Sequence, residues 1–224
     1  MKPIIGIVSR PGITKNDSLM HSTEEYYKNA IIECGGIPLV ILPTNNIVYE
    51  LIEPKDVNKL TDIEKEDLNR VLSLVDGILI PGGFKVYEYD YYICKYAKDN
   101  NIPILGICAG MQTMAKIDCD NYNELIEEKN HYLDDDMHSV IINKDTLLYK
   151  ILENDSIMVN SFHNYKVHSN GIYNVGAYKD NIIESIEYPN NTFYLGVQWH
   201  PERLMDDNSI KLFKYFINSA KKND

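Results

Sequence analysis

Gly106-Ile107-Cys108-Ala109-Gly110 is the segment of this sequence best suited to covalent chemistry. It follows the apolar run Pro103 to Ile107 and opens a helical stretch, so Cys108 falls on a sharp strand-to-helix turn that needs small flanking residues. Such a turn lifts the thiol out of a sheet and sets it at a helix N-terminus, where unpaired backbone N–H groups favour negative charge. A buried structural cysteine could carry the same pattern, so the reading needs a partner. Gly196-Val197-Gln198-Trp199-His200-Pro201-Glu202 supplies one. His200 and Glu202 stand either side of Pro201, which holds the chain extended, so both side chains can project to one side and the carboxylate can orient the imidazole. A nucleophile beside a base that is held by a third group is the arrangement of acyl transfer, whatever the order along the chain. Alone, His-Pro-Glu would read as a surface turn. Ile80-Pro81-Gly82-Gly83 is a strand end running into two glycines, whose N–H groups with that of Ala109 could hold the oxyanion of a tetrahedral intermediate. By itself, Pro-Gly-Gly is a common turn.

Bringing three such segments together requires strands whose ends lie side by side. Ile4 to Ser9 is a continuous apolar run, as in a strand buried on both faces. Ser22 with Glu25 makes a candidate capping box for a helix whose Tyr26, Tyr27, Ala30, Ile31 and Cys34 recur at helical spacing until Gly35-Gly36. Ile37 to Leu42 comes next as a strand, and Thr61 with Glu64 caps a helix carrying Leu68, Val71, Leu72 and Val75. Asp76 to Ile80 is a third strand, Tyr87 to Lys98 a tyrosine-rich helix, and Pro103 to Ile107 a fourth strand. This alternation predicts an α/β fold with a mainly parallel central sheet and helices on both faces. The texture changes after Asp118. The acidic segment 118–136 reads as an insertion or lid, Ile182 to Tyr188 and Thr192 to Val197 as antiparallel strands, and Asn208 to Ala220 as a closing helix. One domain over 1–224 is the expectation.

Composition narrows the partners. The 224 residues are 44% hydrophobic and carry a formal charge of −11, which would repel a phosphate backbone and an anionic membrane surface. Nucleic acid and membrane are therefore not expected, and the short apolar run from Met1 to Ser9 makes neither signal peptide nor span, which predicts a cytoplasmic protein. Cys34, Cys94, Cys108 and Cys119 form no Cys-x-x-Cys pair, so neither zinc nor disulfides are expected. Cys34 and Cys94 lie in helical patterns as small core residues. His131, His138 and Asp134-Asp135-Asp136 lack the spacing of a hard-metal site and read as a solvated acidic loop. The five tyrosines between Tyr87 and Tyr96 fit helix packing and an interface such as a homodimer contact.

Taken together, Pro3 to Ile7, Gly35 to Pro38, Asp76 to Gly83, Gly106 to Gln112, Val159-Asn160-Ser161 with His163, and Gly196 to Glu202 resemble a class I glutamine amidotransferase domain, which has a flavodoxin-like fold. Within that class they are similar to the free-standing γ-glutamyl hydrolases, the branch that includes γ-glutamyl-γ-aminobutyrate hydrolases. The resemblance implies a catalytic triad of Cys108, His200 and Glu202, with Gly82, Gly83 and Ala109 around the oxyanion. It also implies recognition of the glutamyl part of a small-molecule γ-glutamyl amide or glutamine near Gln112, Asn160, Ser161 and His163, with no cofactor and no metal. Departures fall at one backbone-donor position, where the donor survives the change, and in the loops that border the leaving amine. Ala109 stands where the branch usually has a larger residue, Ile117 to Glu124 replaces a Gly-Gly-containing segment, and Asn164 and Tyr165 replace a His and a Gln. The acidic 118–136 segment then predicts preference for a neutral or cationic leaving amine. Two rival readings are a glutaminase subunit delivering ammonia to a separate synthase and a non-hydrolytic sensor or binding protein with an elbow cysteine; the His-Pro-Glu segment speaks against the second.

Overall fold

The computed structural model describes residues 1–49, 54–55, 59–117, 126–127, 132–168 and 171–222. Nine strands form one sheet: β1 (Ile4–Val8), β2 (Ile37–Ile41), β3 (Gly77–Ile80), β4 (Ile104–Ile107), β5 (Tyr132–Ile142), β6 (Ser156–Phe162), β7 (Asn174–Lys179), β8 (Ile182–Glu187) and β9 (Tyr194–Val197). Their order is β6-β5-β7-β8-β9-β4-β3-β1-β2. From β9 to β2 every pairing is parallel, and from β6 to β9 every pairing is antiparallel. The expected α/β architecture is the one observed. One detail differs from the reading of Thr192 to Val197 as simply antiparallel: β9 pairs antiparallel with β8 on one side and parallel with β4 on the other.

Among the described residues, seven helices accompany the strands: α1 (Glu25–Glu33), α2 (Asp62–Leu72), α3 (Glu88–Asp99), α4 (Ala109–Met114), α5 (Leu147–Leu152), α6 (Pro201–Leu204) and α7 (Asp207–Ser219). Because strand side chains alternate between faces, β1 sends Ile5 and Ile7 to one core with Ala30 and Ile31 of α1, Leu148 of α5 and Phe213 and Phe216 of α7. Val8 joins the opposite core with Leu68 and Leu72 of α2 and Tyr89, Ile93 and Cys94 of α3. The parallel strands are thus covered on both sides, which is why their sequences run apolar without a break. The Thr61–Glu64 capping box forms as expected at α2. The one expected at Ser22 does not. Ser22 ends a short ribbon in which Leu19–Ser22 pairs with Arg10–Ile13, and α1 begins at Glu25, with Glu24 at the N-cap and no side-chain cap.

Tyr87 and Tyr89 stack with centroids 5.2 Å apart, and both are buried, so these two tyrosines pack inside the fold rather than presenting a free face. No helix among the described residues is long and apolar enough to cross a membrane.

Candidate active site

Three neighbouring parallel strands fix the site. In register, Val197 of β9 lies opposite Ile107 of β4, and Gly106 of β4 opposite Ile80 of β3, so all three strands end at one level. Each strand runs directly into a segment with chemical potential: β9 into Gln198 to Glu202, β4 into Cys108, and β3 into Pro81 to Gly83. Ligand sites of open parallel sheets sit at such carboxyl ends.

At the middle strand the chain makes a sharp turn. Cys108 adopts φ 53° and ψ −107°, a conformation rare for a residue with a side chain, and its N–H donates to the Val197 carbonyl at 2.8 Å. The flanking glycines are needed because α4 folds directly onto the strands. A Cβ on Gly110 would lie 2.2 Å from the Ile80 carbonyl oxygen, and one on Gly106 2.3 Å from Met114 Sδ. The spacing of small residues around the cysteine is therefore a packing requirement of the turn.

His200 is buried beside it. Its Nδ1 lies 2.6 Å from Glu202 Oε1, so Nδ1–H donates to the carboxylate and the other ring nitrogen is left for the thiol. Burial opposes charge on the imidazole, but hydrogen bonds to Cys108 and Glu202 and their negative charge outweigh it, and its pKa is pushed up to about 10. The backbone of His200 is held from β6: Asn160 Oδ1 accepts from the His200 N–H at 2.8 Å, and Asn160 Nδ2 donates to the His200 carbonyl at 3.0 Å. Phe162 sets its ring edge-on to the imidazole with centroids 5.7 Å apart.

These groups open onto a cleft of about 540 Å³ lined by Gly82, Gly83, Cys108, Ala109, Gln112, His163 and His200. Gln112 donates toward Gln198 Oε1 at 3.2 Å, and His163 Nδ1 donates to the Tyr165 carbonyl at 3.0 Å. Asn160 and Ser161 do not line it: Asn160 spends both ends of its amide on His200, and Ser161 is fully buried in β6. The charged lining is Glu24, Lys85, Lys116 and Arg203, with Arg203 Nη2 donating to Glu24 at 2.7 Å. The acidity of 118–136 is therefore not repeated among the described cleft residues, and most of that segment, with Cys119 and His131, lies outside them. His138 stands elsewhere, in the interior, with Nε2 3.4 Å from Glu184 Oε1. Among the described residues no three His, Cys, Asp or Glu side chains are grouped to hold a metal ion.

One cleft residue escapes the sequence reading. Tyr27 of α1 accepts a hydrogen bond from the Gly82 N–H at 3.0 Å, and burial, then the charge of Glu202, raises its pKa well above that of an ordinary phenol. Its helical spacing marks it only as a core residue.

The model of the Peptidase C26 family matches residues 87–202, just over half of the chain. A CTP synthase of Borreliella afzelii is 33% identical over 72% of this chain, and the chain spans only 38% of that protein's length. A glutamine amidotransferase-like protein of Rickettsia prowazekii is 27% identical over 98% of both chains. Among solved structures, the glutaminase domain of Trypanosoma brucei CTPS with bound acivicin superposes with a TM-score of 0.68 at 18% identity, covering 99% of this chain and 95% of that one. PurLQS from Thermotoga maritima superposes with a TM-score of 0.63 at 19% identity, covering 99% of this chain and all of that one. At such identities the superpositions speak for the fold.

Proposed function

This chain belongs to the Peptidase C26 family, of the class I glutamine amidotransferase type, and we propose that it hydrolyses the γ-amide of glutamine or of a γ-glutamyl conjugate through a thioester on Cys108. The observation that carries this reading is the placement of Cys108 beside the hydrogen-bonded His200–Glu202 pair, in one cleft at the ends of adjacent parallel strands. With His200 already holding the thiol proton, the Cys108 sulfur attacks the γ-carbonyl as a thiolate, and backbone N–H groups of Gly83 and Ala109 receive the oxyanion. Collapse of that intermediate breaks the C–N bond, with the same proton passing to the leaving ammonia or amine. Water, deprotonated by His200, then attacks the thioester, releasing glutamate and restoring the thiol. No step requires a cofactor. Gln112 and His163 line the cleft where the glutamyl part would lie, whereas Asn160 acts by holding His200.

A second reading concerns where the nitrogen goes. The similarity to CTP synthases, of whose length this chain spans about two fifths, and to the glutaminase domain of one of them favours glutamine as substrate and ammonia delivery to a synthase. The γ-glutamyl hydrolase reading rests on the sequence resemblance alone. One assay separates them: glutamate release from glutamine and from a panel of γ-glutamyl amides, with Cys108→Ser as control. Turnover of the amides with little turnover of glutamine favours the hydrolase, and the reverse favours the glutaminase. Equal glutamate release by the wild type and Cys108→Ser would remove the proposal altogether.

A further inference from the structure

Two adjoining cavities meet at the strand exit Pro81-Gly82-Gly83, and Tyr27, Gly82 and Gly83 line both. One is the cleft with Cys108; the other, of about 490 Å³, is also lined by Arg10, Pro11, Gly12 and Ile13. The guanidinium of Arg10, which lines only the second, grips the loop. Its Nη2 donates to the Pro81 carbonyl at 2.6 Å and its Nε to the Gly82 carbonyl at 3.1 Å. Its Nη1 contacts both carboxylate oxygens of Asp90, at 2.8 and 2.7 Å. Asp90 is fully buried on α3 and also accepts from the Tyr87 N–H at 3.1 Å, so the fork is anchored to the helix that packs under the loop. Burial opposes the charge on Arg10, yet Asp90 and Tyr89 more than offset it and raise its pKa.

Peptide planarity turns this grip into an effect on the other side. In a trans peptide the carbonyl and the following N–H point in opposite directions. Holding the Pro81 carbonyl toward Arg10 sends the Gly82 N–H away from it, and that N–H donates to Tyr27, which lines both cavities. Holding the Gly82 carbonyl toward Arg10 turns the Gly83 N–H away from Arg10 in the same way. Glycine peptides flip easily because no Cβ resists rotation, so a strand exit of two glycines would not keep this orientation unaided.

We propose that Arg10, anchored by Asp90, is a positioning residue that orients the Gly82–Gly83 peptide so that its N–H faces the reacting carbonyl. The inference rests on the hydrolytic reading above and adds to it a residue pair that touches no substrate. It separates the roles of the two cavities: chemistry takes place in one, and the other houses the clamp.

Arg10→Lys and Arg10→Met test it. Lysine keeps the ion pair with Asp90 but has no planar fork to bridge two carbonyls, so it should restore most of the thermal stability lost in Arg10→Met without restoring rate. Loss of one oriented oxyanion donor predicts a fall in kcat on the order of 10²-fold for both variants, with KM changed less than about threefold. If kcat in Arg10→Lys returns along with stability, the pair is only structural and the proposal fails. A crystal structure of Arg10→Lys gives a readout independent of turnover, and the proposal predicts the Gly82–Gly83 peptide rotated or split between two orientations. An unchanged peptide overturns the clamp even if the wild type proves inactive on every amide tried, an outcome that would count separately against the hydrolytic reading.

Discussion

In the parallel half of the sheet, Cys108 and the Gly82–Gly83 peptide reach the cleft because the backbone itself ends there: strand, turn, reactive group. In the antiparallel half, Asn160 on β6 acts through a side chain that grips the backbone of His200, and His163 and Tyr165 close the wall through hydrogen bonds of their own. β9 belongs to both halves, and the base comes directly after it. In the proposed mechanism the parallel half presents reacting atoms by strand register, and Asn160 of the antiparallel half holds the base in place. Replacing a presented group should therefore cost rate, and replacing a holding group should cost rate and stability together.

The largest effect expected from this contrast is in the presented base. His200→Asn should lower kcat by about 10³-fold or more, and Glu202→Gln by less, since it orients the imidazole without receiving the proton. Near-normal turnover of His200→Asn would break the contrast at its centre. Asn160→Ala comes next. It leaves the His200 N–H and carbonyl without their partner, at a cost of about 1–3 kcal/mol in denaturant unfolding, with roughly tenfold lower kcat as the ring loses its placement. A large rise in KM with unchanged stability would instead place Asn160 against substrate, as the family resemblance implies.

A third measurement uses pH. His200 has a folded pKa of about 10, above its ordinary value of 6.5, so folding favours its protonated form. That stabilisation is fully present below about pH 6.5 and is lost as pH rises through about 10. The stability gap between the wild type and His200→Asn should shrink over that window, and a gap that widens would refute the assigned hydrogen bonds. The smallest effect belongs to the far edge of the antiparallel half. Met158 on β6 is half exposed, and Met158→Thr should leave kcat unchanged and shift stability by no more than about 0.5 kcal/mol.

The sequence makes some of these features plain and hides others, for a physical reason. The turn at Cys108 and the pair around Pro201 are local: neighbouring residues impose the backbone path, so spacing alone reveals them. The strands of the parallel half are equally legible, because burial on both faces leaves unbroken apolar runs. Long-range contacts leave no such mark. Arg10 meets Asp90 across 80 positions, and Tyr27 meets Gly82 across 55, and neither residue type is unusual where it stands. Asn160 is recognisable as belonging to a site but not by its use, since an amide that holds backbone and one that holds substrate have the same chemistry. Ser22 and Glu25 have capping-box spacing, but the ribbon with Arg10–Ile13 claims Ser22 first.

In the proposed mechanism Cys108, alone among the described cysteines, is the nucleophile. All three are buried, and burial raises the thiols of Cys34 and Cys94, Cys94 furthest; of the three, Cys108 is the one that lines the cleft beside His200. Treating the folded protein with a glutamine-mimicking electrophile such as diazo-oxo-norleucine and mapping the modified peptide tests this directly. A single adduct is expected, on Cys108 and absent from Cys108→Ser; an adduct on another residue, or labelling that persists in Cys108→Ser, would rule Cys108 out as the nucleophile.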